Sequence, residues 1–107
     1  MSNFQLPARV QSRLRAQGDL VSAARRVRGL TQSDLAERAG TSRPTIYRME
    51  SGKPNVAWST VITVCWLLDI PTDPELMDPI LRTELLSGAA SVQRAHSSSA
   101  QELDDNF

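Results

Sequence analysis

The segment LTQSDLAERAGTSRPTIYRMESGK, residues 30–53, decides the fold. Thr31 is placed to cap a helix, because its hydroxyl can accept a free N–H of the first turn. Leu35, Ala36 and Ala39 then recur at helical spacing, which predicts a short amphipathic helix from Gln32 to Ala39. Gly40 stops it, since glycine takes a left-handed backbone at little steric cost. Ser42 reads as the next N-cap. Pro44 falls in the first turn, where its missing N–H is harmless. A second helix follows from about Arg43 to Ser51, with Ile46, Met49 and Tyr47 read as its inward side, and Gly52 ends it. Two short helices joined by a three-residue turn with glycine make a helix-turn-helix. The competing reading is a plain αα-hairpin in a helical bundle.

The outward residues of the second helix point to a function. Arg43, Thr45 and Arg48 are long or hydrogen-bonding and lie toward the end that enters the major groove in this motif. Arginine can pair bidentately with guanine O6 and N7. The run resembles the Cro/CI-type (Xre) helix-turn-helix family, whose pattern is roughly T-Q-x-x-L-A-x-x-A-G-(V/T)-S-x-x-T-I-x-R-(I/M)-E-x-G. Thr31, Gln32, Leu35, Ala36, Ala39, Gly40, Thr41, Ser42, Thr45, Ile46, Arg48, Met49, Glu50 and Gly52 fit it in one register. The resemblance implies an all-α, five-helix, lambda repressor-like domain that binds double-stranded operator DNA as a homodimer and represses transcription. It also implies that Arg43, Pro44, Thr45 and Arg48 face bases, while Gln32, Tyr47 and Lys53 touch the phosphate backbone.

Charge supports a nucleic-acid partner. The chain has 107 residues and zero net charge, but the charge is split. Met1 to Pro54 carries ten Lys/Arg against four acids, a net +6; Asn55 to Phe107 carries two Arg against eight acids, a net −6. A basic half that contains the motif is the footprint of a phosphate-binding face. Chance segregation on a solvated surface is the alternative. Cys65 is alone, which leaves no disulfide framework or cysteine-based metal site within the chain. His96 is the sole histidine and falls in a polar tail, so no Ser-His or Cys-His pair is expected in a folded region. Neither enzyme activity nor a cofactor is expected. The longest apolar run, Val61 to Leu68, is too short to span a bilayer, and the N-terminus lacks a secretory pattern. A cytoplasmic protein follows as the expectation.

Three segments are expected: an arm or short helix over 1–18, the DNA-binding domain over 19–87, and a disordered acidic tail over 88–107. Pro7 to Gln17 suits a short helix whose Arg9 and Arg13 would share a face, either along DNA or simply in solvent. Gly18 is read as an interruption. Asp19 is read as the cap of a helix from Leu20 to Arg28, with Leu20, Ala23, Ala24 and Val27 buried. Arg25, Arg26 and Arg28 crowd its end, where cations complement the helix dipole or reach phosphate.

Downstream, Trp58 to Leu68 reads as a helix with Val61, Val64, Cys65 and Leu68 inward; Ala57 stands where a capping Ser or Thr is usual. Asp73-Pro74 suits a single turn and Asp78-Pro79 opens a last helix ending at Gly88. Trp66 falls off the buried stripe, beside Ile62. Ile62, Trp66, Ile80, Leu81 and Leu85 are therefore the candidate dimer or partner interface, the alternative being burial within the same chain. The segment GKPNVAWSTVITVCWLLDI, residues 52–70, followed by an acidic extension, resembles HipB-type antitoxins. That second resemblance implies a cognate kinase-like toxin as a further partner. The tail, with Leu103 and Phe107 among acids, would then fold onto a basic partner, shield the chain's own DNA-binding face, or serve only solubility.

Overall fold

A computed structural model describes residues 5–88; residues 1–4 and 89–107, including His96 and the acidic tail, lie outside the described residues. Five α-helices and one 3-10 turn make up the fold, with no strand among the described residues. They are α1 (Ala8–Val27), α2 (Gln32–Ala39), α3 (Arg43–Glu50), α4 (Trp58–Leu68), the turn Pro74–Leu76, and α5 (Pro79–Ser87).

The helix starts follow from their caps. Thr31 Oγ1 accepts the Asp34 N–H at 3.0 Å and Asp34 Oδ2 accepts the Thr31 N–H at 2.9 Å, a reciprocal capping box. Hydrogen bonds from the Thr31 backbone N–H and then from its hydroxyl hold the Asp34 carboxyl below its ordinary range. The cap is therefore complete above that range and is lost as pH falls below it, through the lowered value of the folded state. Ser42 Oγ accepts from Thr45 N–H at the start of α3. Asp73 and Asp78 each accept from N–H groups just beyond their prolines. Ala57 gives α4 no side-chain cap, and Ser59 makes no substitute cap bond. Replacing Ser42 with Ala should remove about 1 kcal/mol of stability, measured by urea unfolding. The helix ends share one device. Thr41 N–H donates to Ala36 O and Gly40 N–H to Glu37 O, closing α2 in a Schellman turn with Gly40 at φ +69°. Asp69 closes α4 the same way, without glycine, at φ +57°.

One core holds all five helices. Leu20, Val21 and Ala24 of α1 meet Leu35 and Ala36 of α2, Ile46 and Met49 of α3, and Val64, Cys65, Leu67 and Leu68 of α4. Ile70, Met77 and Leu85 complete it. Burial pushes the Cys65 thiol up, as suits a core residue.

Several expectations change. Gly18 does not interrupt a helix, and Asp19 caps none: α1 runs unbroken from Ala8 to Val27. Gly18 is instead the point where α1 touches α3. A Cβ built there would lie 2.6 Å from the Glu50 carbonyl oxygen and 2.7 Å from that of Met49. Glycine is present because two backbones meet, not because a helix ends. Tyr47 is 54% exposed and lies on the outer side of α3, not against the core. Leu85 is 1% exposed and belongs to the protomer's own core, which removes it from any interface; α5 packs on α1 through it. Val21 and Leu67 join the core although neither was placed on the expected stripes.

Candidate nucleic-acid interface

The site is built on α3 and delivered by what lies behind it. At about 100° per residue, Pro44 and Arg48 stand opposite Ile46, which is fully buried. Arg43 and Tyr47 flank them on one side and Thr45 on the other. Arg43, Pro44, Tyr47 and Arg48 are exposed and Thr45 half-buried, so the structure brings the four base-facing candidates onto one outer surface. The Thr45 hydroxyl lies 2.9 Å from Ser42 Oγ, where either can donate. That contact holds it at the N-terminal end of the helix. Lys53 follows Gly52 in the turn closing α3, its N–H donating to Arg48 O, and its side chain is exposed.

Gln32 is differently placed. It is half-buried, and its Nε2 donates to Glu50 Oε1 at 3.0 Å. A phosphate contact from this side chain would use the second amide hydrogen or give up that bond. Glu50 is the centre of a buried network that the sequence reading missed. Arg25 Nε donates to Glu50 Oε2 at 2.6 Å and Nη2 to Oε1 at 3.0 Å, a bidentate pair with side chains only 9% and 7% exposed. Arg25 Nη1 also donates to Leu30 O. One carboxylate thereby ties the end of α1, the start of α2 and the end of α3. The signal was present: in a continuous α1, Gly18, Val21 and Arg25 fall at i, i+3 and i+7, on the buried side.

The other arginines sort by geometry. Arg28 Nη1 donates to Leu67 O at 2.7 Å, linking α1 to the end of α4. Arg26 is exposed. Arg13 does not lie along a free arm. It reaches Asp73 at 2.7 Å and also Glu75, strapping α1 to the turn before α5. Arg9 is exposed. Among the described residues no group of three or more His, Cys, Asp or Glu could hold a metal ion. No helix there is long and apolar enough to cross a membrane.

Two capped helices around a glycine turn, the second presenting a polar outer face beside a basic loop, define a helix-turn-helix DNA-binding domain. The comparison with protein families agrees. A family model described as a helix-turn-helix domain matches residues 13–78, more than half of the chain, and the chain belongs to that family. This is consistent with the Cro/CI-type resemblance of residues 30–53. No match was found among curated proteins.

Proposed function

We propose that the protein is a cytoplasmic, sequence-specific repressor that binds operator DNA as a homodimer and acts by binding alone, without a catalytic step. The observation that carries this is the outer face of α3, where Arg43, Pro44, Thr45 and Arg48 stand clear of the core. Arg43 and Arg48 read base edges, Thr45 and Pro44 shape the contact, and Tyr47 and Lys53 fix the register on phosphates. Quantitative titration on a selected site and on random DNA tests these roles. Arg43→Ala or Arg48→Ala should weaken specific binding by about 1–3 kcal/mol and relax one base position in each half-site. Lys53→Ala should weaken both DNAs together and lower the salt slope by about one. Equal losses on both DNAs for the two arginine changes would remove them from base reading. A dimer should protect two half-sites about 10 bp apart or a multiple of that; protection of one isolated half-site would refute the dimeric mode.

A second role, compatible with the first, is that of an antitoxin. The observation favouring it is the exposure of Ile80 (70%), Leu81 and Leu86 on α5 and of Leu76 in the preceding turn. Large apolar side chains left in solvent suit a protein partner, and the HipB-type resemblance names a kinase-like toxin as its class. Co-expression with the product of the neighbouring reading frame tests it: Ile80→Lys should abolish co-purification while leaving operator affinity unchanged.

A further inference from the structure

α4 has no charged side. Its inner face supplies Val64, Cys65, Leu67 and Leu68 to the core. Directly opposite stand Trp66 and Ile62, both 45% exposed, with Trp58 (64%) at the flank. No charged residue occurs from Pro54 to Leu68. The remaining members of the outer face are Ser59 and Thr63, and the Thr63 hydroxyl is already donated to the Ser59 carbonyl at 2.8 Å. An uncharged outer face that carries two large apolar side chains is suited to being covered.

The order of large and small residues says what covers it. Ser59 and Thr63 are one turn apart and make a shallow groove, and Ile62 and Trp66 are one turn apart and make a ridge. An antiparallel copy of the helix, related by a two-fold axis between positions 62 and 63, sets Trp66 over Ser59 of the partner. The same axis brings Ile62 of the two copies together on one flank of that contact. Trp66 of each copy meets Ser59 of the other, and this pairing holds in both directions, as a two-fold interface requires. Two uncharged faces also meet without like-charge repulsion.

We infer that the outer face of α4 is a self-complementary dimer seat, in which Trp66 of each copy fills the groove at Ser59 of the other. This rests on the homodimer reading above and specifies its surface and register. It also leaves the exposed side of α5 to a different partner.

The full chain, sedimented without DNA at about 1–100 µM, tests the seat through a swap of ridge and groove. Ser59→Trp fills the groove, and Trp66→Ser removes the ridge. Each variant alone should raise the dimer dissociation constant at least about tenfold, with circular dichroism showing that both remain folded; Ser59→Arg replaces the first if it does not. Mixed in equal amounts, Ser59→Trp and Trp66→Ser should recover association, because both contacts between positions 59 and 66 again pair one large with one small residue. A wild type monomeric throughout overturns the seat and the homodimer together. A dimer indifferent to both single changes overturns the α4 seat and leaves the homodimer standing. Two weakened variants that fail to complement overturn the register.

Discussion

Gly18→Ala is expected to destabilise the protein by about 2–4 kcal/mol, although alanine is the better helix former. In an ordinary helix interior this change gains about 1 kcal/mol. Here the new methyl would sit 2.6 and 2.7 Å from two carbonyl oxygens of α3, closer than any carbon–oxygen contact tolerates. Those oxygens belong to backbone, so no rotamer change clears the space. Relief requires α1 and α3 to separate, which opens the packing of Leu20 and Val21 against Ile46 and Met49. Moving α3 also displaces Arg43 and Arg48, with Lys53 in the turn that closes the helix, relative to the rest of the domain. Operator affinity should therefore fall together with the urea midpoint. A variant as stable as wild type, or more stable, would show that Gly18 is an ordinary helical glycine and that the close approach is not real.

Glu50→Ala should cost a further class of energy, about 3–5 kcal/mol, by stranding a buried guanidinium. Arg25 loses both bonds to the carboxylate and keeps only the one to Leu30 O. Gln32 loses its acceptor as well. The size of the effect comes from the unpaired charge rather than from the pair's own net strength. Removing both partners should therefore restore much of the loss: Arg25→Met with Glu50→Leu should be considerably more stable than Glu50→Ala. A double-mutant cycle by urea denaturation separates these effects. If Glu50→Ala loses under 1 kcal/mol, the pair is solvated in solution and does not lock the three helices.

The local chemistry of this chain was legible and its long-range contacts were not. Thr31, Ser42, Asp73 and Asp78 announce their helices because a cap is read over three or four residues. The base-facing set of α3 was equally readable, since Ile46 and Met49 fix which side is outward. Gly18 was misread because glycine signals a break locally, while its actual neighbours are Met49 and Glu50, about thirty residues away. Arg25 was misread for the same reason. Beside a helix end it looks like a dipole partner, and only the fold brings Glu50 to it. Leu85 was placed outward because α5 is apolar on two sides, and periodicity alone does not say which side α1 covers.

α3 divides cleanly between scaffold and reader. Ile46, Met49 and Glu50 hold it in place, while Arg43, Pro44, Tyr47 and Arg48 contribute nothing to the core. Surface exchanges of this sort usually change stability by under about 0.5 kcal/mol. Descendants of this sequence can therefore drift to new operators one outward residue at a time without passing through an unfolded intermediate genotype. Thr45 is the exception, since its hydroxyl is shared with the cap at Ser42. That position should be the slowest of these five to diverge as paralogues acquire new targets.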